Sequence, residues 1–105
     1  MGVRGEVDIA TVQQFECGGR CLLADGGELL VVDLSETTFM DLSGVRATER
    51  LARAASVAGG GVVVVAAASA VARVFELAAH SWLAVTRDLD TALEAITERS
   101  SGRVR

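Results

Sequence analysis

Two segments of the chain are short, almost wholly apolar and rich in β-branched side chains: residues 29–34 (LLVVDL) and 62–66 (VVVVA). Runs of this length are typical of strands that are covered on both faces, as in a parallel sheet. Further strands are predicted at residues 3–7 and 83–85, a connecting loop at residues 35–40, and helical patterns at residues 11–23, 43–57, 70–79 and 88–96. Strands that alternate with helices predict an α/β domain with a mostly parallel sheet and crossover helices.

The length of 105 residues fits one domain, and half of the residues are hydrophobic, which suffices for a single core. Aromatic residues make up only 4 % of the chain, so this core must be built from Val, Leu, Ala and Ile. The segment after Ser100-Ser101-Gly102 is short, polar and rich in Arg. We expect a folded domain over residues 1–98 and a flexible, arginine-bearing tail over residues 99–105.

Side-chain periodicity assigns faces to two of the predicted helices. In the helix at residues 43–57 the small and apolar side chains form the inner face, namely Val45, Leu51, Ala55 and Ala58. Its charged side chains, Arg46, Glu49, Arg50 and Arg53, are predicted on the outer face, with Glu49 and Arg53 as an i,i+4 pair. In the helix at residues 70–79 the predicted inward side chains are Val71, Val74, Phe75 and Leu77.

The charge of the chain limits the classes of partner. Acidic residues exceed Arg, there is no Lys, and the formal net charge is -4, with three of the ten Arg in the last seven residues. An acidic domain is a poor nucleic-acid binder and suits a partner with a basic face. No segment approaches the roughly 18 apolar residues of a membrane span, and no signal-peptide pattern is present. We therefore expect a cytoplasmic protein that binds neither nucleic acid nor membrane.

The motifs of common enzymes are missing. A P-loop needs a Lys after its glycines, and Gly59-Gly60-Gly61 precedes a predicted strand instead of opening a helix, unlike a dinucleotide fingerprint. The single histidine, His80, ends a predicted helix and fits a solvated helix end better than a catalytic base. Trp82 is expected to cover the edge of the core. The sequence predicts a protein that is not an enzyme and takes no cofactor or metal.

Asp41-Leu42-Ser43-Gly44 links a predicted strand to a predicted helix. Asp41 and Ser43 are both helix-capping residue types, and Asp33 is of a type that accepts loop N–H bonds. A helix start also tolerates a phosphate, because its N–H groups are unpaired and its dipole end is positive. Phosphorylation there would add about two negative charges. Ser43 is thus either a structural cap or a switch on a binding surface.

Cys17 and Cys21 are the only cysteines, and they lie one turn apart in a predicted helix that Gly18 and Gly19 could loosen. Two ligands do not make a zinc site, and the helical spacing suits a disulfide poorly. The favoured interpretation is a pair of small, reduced core residues in a cytosolic protein. A redox-responsive pair is the alternative.

Several segments together resemble the STAS domains of the anti-sigma factor antagonist type. The core of the resemblance is residues 31–35 (VVDLS) followed by residues 39–45 (FMDLSGV). Weaker matches support it at residues 5–8, 61–67, 71–79 and 88–96, so that it covers residues 3–97. The resemblance implies a STAS-like single domain with a four- to five-stranded sheet and about four helices.

The same resemblance implies a partner switch. The unphosphorylated antagonist binds an anti-sigma factor that is also a GHKL-type serine kinase, and this releases a sigma factor for transcription. The kinase phosphorylates the position of Ser43, and a PP2C-type phosphatase reverses the modification. The residues expected to form or border the partner-binding surface are Asp8, Met40, Asp41, Leu42, Gly44 and Arg46.

Two departures from the family pattern and two alternative functions remain. Leu42 stands where many members have Ser. Only a few residues precede Gly5, so either the first edge strand is missing or the start codon is placed late. A missing edge strand would expose an edge through which a homodimer could form. One alternative is a STAS subunit of a membrane transporter or lipid-trafficking complex. The other is a redox-sensing antagonist that responds through Cys17 and Cys21.

Overall fold

The computed structural model describes residues 1–26 and 29–94. The chain alternates strands and helices as β1 (Gly2–Val7), α1 (Val12–Ala24), β2 (Leu29–Met40), α2 (Leu42–Val57), β3 (Gly61–Val65), α3 (Ser69–Ala78) and β4 (Ala84–Thr86). Residues 89–94 belong to a fourth helix, α4. The end of the last predicted helix and the predicted tail at residues 99–105 lie outside the described residues.

The four strands form one sheet in the order β1-β2-β3-β4, and all neighbours are parallel. Every connection is therefore a crossover, and its helix packs back onto the sheet. The α/β fold with a parallel sheet and four helices is as the sequence predicts. Strands β1 and β4 form the two edges of the described sheet.

Alternate residues of the central strands point to opposite faces of the sheet, and each face has its own apolar cluster. The larger cluster joins Leu30, Val32, Val62 and Val64 to buried side chains of α1, α2 and α3. The smaller cluster joins Val31, Val63 and Val65 to Ala92 of α4. Both faces of β3 are thus covered, which explains its unbroken run of valines.

Strand β2 is twice as long as predicted, because residues 35–40 were expected to form a loop and instead continue the strand to Met40. Its first part, from Leu29 to Asp33, pairs with β3, and its second part, from Asp33 to Met40, pairs with β1. The second part extends past the end of β3, so its polar side chains are largely exposed and hide the strand pattern. Thr37 is the exception, since it is buried and donates a hydrogen bond to the Val3 carbonyl oxygen at 2.8 Å.

The predicted helix faces are correct for most residues and wrong for three. Val45, Leu51 and Ala55 are buried, whereas Ala58 is exposed just beyond the end of α2. Glu49, predicted on the outer face, is buried against α3. Leu77, predicted inward, is 76 % exposed, because the buried side of α3 is formed by Val71, Ala72 and Phe75.

The Gly18-Gly19 pair does not loosen α1, which runs unbroken from Val12 to Ala24. Gly19 is buried where α1 meets α2, and a Cβ atom there would lie 2.6 Å from Cδ1 of Leu51. The missing side chain therefore allows the two helices to approach closely. Cys17 and Cys21 are both free and exposed on the outside of α1, so the prediction that they are core residues is wrong.

Candidate functional site

The side chain of Asp41 caps α2 and holds the hydroxyl of Ser43. Its Oδ1 atom accepts hydrogen bonds from the backbone N–H groups of Ser43 at 2.9 Å and Gly44 at 3.4 Å. The Ser43 hydroxyl donates to the same oxygen at 2.5 Å. Asp41, and not Ser43, is therefore the N-cap residue of α2. Ser43 stands in the first turn of the helix with its side chain partly exposed.

This carboxylate is held in its charged form. The Ser43 hydroxyl, together with backbone N–H groups of Gly44, Ser43 and Ile9, lowers the pKa of Asp41 below its usual range. Desolvation opposes the shift without reversing it. The N–H of Asp41 in turn donates to the Val7 carbonyl oxygen at 3.2 Å, so the start of α2 is fastened to the end of β1.

The loop before α1 is a closed turn of its own. The Asp8 side chain accepts from the N–H groups of Ala10 at 2.9 Å and Thr11 at 3.2 Å. The Thr11 hydroxyl donates to the Glu6 carbonyl oxygen at 3.0 Å. Asp8 is therefore occupied within its turn, and it lies on the loop beside Asp41, where the sequence predicts a border of the partner-binding surface.

Met40 and Gly44 lie beneath the loop and are buried. A Cβ atom on Gly44 would lie 2.6 Å from Cγ of Met40 and 3.0 Å from Cγ1 of Val7. A glycine at this position lets the first turn of α2 pack directly on β1 and β2. The structure gives both residues a supporting position under Ser43 and leaves the surface to their neighbours.

Three exposed apolar side chains surround the loop: Ile9 is 83 %, Leu42 54 % and Phe39 47 % exposed. Leu42 and Phe39 lie within two residues of Asp41, and the Ile9 N–H is near enough to its carboxylate to help lower its pKa. We call Ile9, Phe39, Leu42 and Ser43 the serine face. Exposed apolar clusters mark interaction surfaces. Ile9 and Phe39 were not predicted as surface residues of the site, although an isoleucine inside a polar turn is a usable signal.

The tripeptide Asp-Leu-Ser occurs twice, and only the second copy stands at a helix start. In the first copy, Asp33 Oδ1 accepts from the N–H of Ser35 at 2.9 Å and from its hydroxyl at 2.5 Å. Both bonds lower the pKa of Asp33, and the bond from the Ser35 hydroxyl has the larger effect. The intervening Leu34 is fully buried within β2. The chain thus contains a geometric control for the Asp41–Ser43 pair.

Arg46 belongs to a second cluster, which joins α2 to the end of α3. Its guanidinium donates to Glu49 at 2.6 Å and to the Ala78 carbonyl oxygen at 3.0 Å. The Glu49 carboxylate also accepts from the N–H of His80 at 2.7 Å and lies 2.5 Å from its Nδ1 atom. Arg46 is thus directed toward α3 and takes no part in the bonds around Ser43.

The bonds of this second cluster hold the turn between α3 and β4 against α2. Burial alone would raise the pKa of Glu49, but the bonds from the His80 N–H and the Arg46 guanidinium outweigh it and hold the pKa below its usual value. The His80 ring stacks on Trp82 with centroids 5.9 Å apart, and the Arg53 guanidinium lies 5.5 Å from the Trp82 ring centroid. His80 was expected at a solvated helix end. Its bonds to Glu49 were not predicted, because Glu49 lies 31 residues earlier in the sequence.

Within residues 1–26 and 29–94, no group of three or more His, Cys, Asp or Glu side chains is placed to hold a metal ion. In the same part of the chain, no helix has both the length and the apolar character that a bilayer crossing requires. Cys17 and Cys21 lie on α1, whose first residue, Val12, follows the Asp8 turn.

The fold and the loop together define a small parallel α/β domain that presents a serine at a helix N-terminus, on a surface bordered by apolar side chains. A family model described as "Mlab, STAS domain" matches residues 1–83. The chain belongs to the STAS domain family, which confirms the resemblance to STAS domains.

One solved structure with the same fold is described as "Structure of the Anti-Sigma Factor Antagonist SpoIIAA in its Unphosphorylated Form". The match covers 96 % of this chain and 86 % of the chain in that structure, with a TM-score of 0.65 and 19 % sequence identity. This likeness shows the fold. The comparison with curated protein sequences returns no match.

Proposed function

We propose that the chain is an anti-sigma factor antagonist with no enzymatic activity of its own. In its unphosphorylated form it binds an anti-sigma factor of the GHKL serine kinase type in the cytoplasm, and a sigma factor is released. The kinase phosphorylates Ser43 and a PP2C-type phosphatase restores the binding form. The observation that carries the proposal is the Ser43 hydroxyl, which lies at the start of α2 within the serine face.

The exposed apolar side chains supply the attraction. Complete burial of a large apolar side chain contributes about 1.5–3 kcal/mol, and Ile9, Phe39 and Leu42 each have substantial surface left to bury. A few such side chains at the centre of an interface usually carry most of its binding energy. The net charge of -4 favours a partner whose docking surface is basic.

Phosphorylation would oppose this docking without unfolding the domain. The modified Ser43 oxygen has no proton to donate to Asp41, and a phosphate would stand next to that carboxylate. The positive end of the α2 dipole offsets part of this repulsion within the folded domain. A partner would have to desolvate the dianion, which costs several kcal/mol if it stays unpaired. About 3–5 kcal/mol corresponds to two to four decades of affinity.

The test is affinity capture from a lysate of the source cells with wild-type, Ser43→Ala and Ser43→Asp proteins as bait. Ser35→Asp is the matched control, because Ser35 makes the same bonds to Asp33 away from the helix start. We expect wild type, Ser43→Ala and Ser35→Asp to retain a GHKL-type kinase and Ser43→Asp to lose it. The retained kinase, given ATP, should then phosphorylate wild type and Ser35→Asp but not Ser43→Ala.

The second candidate is a STAS subunit of a membrane transporter or lipid-trafficking complex, and the observation in its favour is the description of the matching family model, "Mlab, STAS domain". Retention of a transporter ATPase by all four baits, with no kinase, would favour this candidate and contradict the switch at Ser43.

A further inference from the structure

The two cysteines form an exposed pair that the proposed function does not use. Cys17 and Cys21 are both free, both exposed and one turn apart on α1. Phe15 and Gly19 of the same helix are buried, so the cysteines lie on its solvent side. Side chains four residues apart on a helix are direct neighbours, with Cβ atoms about 5–6 Å apart.

This spacing does not fit a disulfide on the intact helix. A disulfide needs Cβ atoms about 3.5–4.5 Å apart, so α1 would have to deform to form one. Such a deformation would disturb Gly19, which packs against Leu51, and Glu16, which accepts from Arg50 at 2.7 Å. Two metal–thiolate bonds of about 2.3 Å each, in contrast, allow sulfur atoms up to about 4.6 Å apart. The native helix therefore suits a metal-bridged pair better than a disulfide.

The ligand set narrows the choice of metal. Structural zinc sites need four ligands, and iron–sulfur clusters use four cysteines, whereas this chain has two. No third His, Cys, Asp or Glu in the described ranges completes a set with the pair. Soft thiolate and thioether ligands select Cu(I). The Met1 sulfur lies 3.5 Å from the position that a Cβ atom on Gly18 would take, so a thioether packs on α1 at the residue next to Cys17.

We propose that Cys17 and Cys21 bind one Cu(I) ion as a surface dithiolate. Each thiol releases its proton to solvent and binds through sulfur, with no change in oxidation state. The metal would link two successive turns of α1 across Gly18 and Gly19, where the helix is intrinsically weakest. The site lies apart from the serine face and depends on none of its residues.

The test is an anaerobic titration of the full chain against the coloured Cu(I) complex of bicinchoninate, with a thiol-free reductant. We expect wild type to withdraw one Cu(I) per chain, and Cys17→Ser and Cys21→Ser to bind at least about a hundredfold more weakly, since each loses the chelate advantage. The matched control is the double variant Cys21→Ser/Leu22→Cys. It keeps two exposed thiols, because Leu22 is itself exposed. The spacing of five residues places these thiols about 140° apart around α1, so they cannot bind one metal ion together.

Weak binding by the double variant, with the far-UV circular dichroism of wild type unchanged by the metal, would support a site formed by the native helix. Equal binding by wild type and the double variant would overturn the proposal, because any two thiols would then suffice. No transfer of Cu(I) to wild type would also overturn it. So would an intramolecular Cys17–Cys21 disulfide that forms with oxidised glutathione and leaves helicity unchanged, since the pair would then be a redox site.

Discussion

Replacement of Asp41 by alanine should destabilise the domain through a single local mechanism, the loss of the cap of α2. The wild-type carboxylate accepts from the N–H groups of Ser43 and Gly44 and from the Ser43 hydroxyl. Loss of an N-cap side chain costs about 0.5–2 kcal/mol. Because this one accepts from two backbone N–H groups and a hydroxyl, we expect a value near the upper end, about 1.5–2 kcal/mol.

The assay is urea unfolding followed by circular dichroism. With a slope of about 1–3 kcal/mol per molar urea, the midpoint of Asp41→Ala should fall by about 0.5–2 M at unchanged slope. Asp41→Asn keeps an oxygen acceptor and should lose only a few tenths of a kcal/mol. Asp33→Ala is the matched control, because Asp33 makes the same bonds to Ser35 but caps no helix.

The charge of Asp41 adds a pH signature. Its pKa is lower in the folded protein than its ordinary value of 3.8, so the stabilisation is fully present above pH 3.8 and is lost as the pH falls through the folded-state pKa. The stability advantage of wild type over Asp41→Asn should therefore shrink only in that acidic range. If Asp41→Ala lost no more stability than Asp33→Ala, or if Asp41→Asn lost as much as Asp41→Ala, the capping argument would be wrong.

Three further predictions concern packing, the buried acid and the serine face. Gly44→Ala should lose about 1–3 kcal/mol in urea unfolding, because the new methyl group collides with Met40; unchanged stability would show that the loop tolerates a side chain. Glu49→Ala should lose about 1.5–3 kcal/mol of unfolding free energy, because its charged hydrogen bonds disappear. This difference in stability from wild type should narrow as the pH falls through the lowered pKa of Glu49, below 4.5. Leu42→Ser should weaken binding to the captured kinase at least about tenfold, whereas Val57→Ser, at the opposite end of α2 and 92 % exposed, should bind like wild type; equal effects would place the interface elsewhere.

Local patterns in the sequence account for most of the fold. The valine run of β3 and the Asp-Leu-Ser-Gly start of α2 each have a local physical cause, and both were predicted close to their observed limits. The extension of β2 to Met40 was missed, because its pairing with β1 depends on residues more than 30 positions away. Polar side chains in this exposed part of the strand resemble those of a loop.

The candidate site was predictable at its centre and not at its border. Asp41 and Ser43 carry a recognisable capping pattern, so their contact follows from sequence. Phe39 was assigned to a loop, and its exposure follows only once β2 is known to continue. Helical periodicity predicted Glu49 on the solvent side. Glu49 is buried because His80, just after the end of α3, packs against it, and this contact cannot be predicted from the sequence of α2 alone.

The partner switch at Ser43 is tested by the affinity of the captured kinase for the antagonist with and without phosphate on Ser43. Isothermal titration calorimetry with phosphoserine incorporated at position 43 would give both values, and phosphoserine at position 35 would serve as the control. Phosphorylation at Ser43 should weaken binding by about two to four decades. Phosphorylation at Ser35 should leave the affinity within about threefold of wild type, or about 0.7 kcal/mol. Equal affinities for the Ser43-phosphorylated and unmodified proteins would contradict the partner switch, and Ser43 would then be only a part of the helix start.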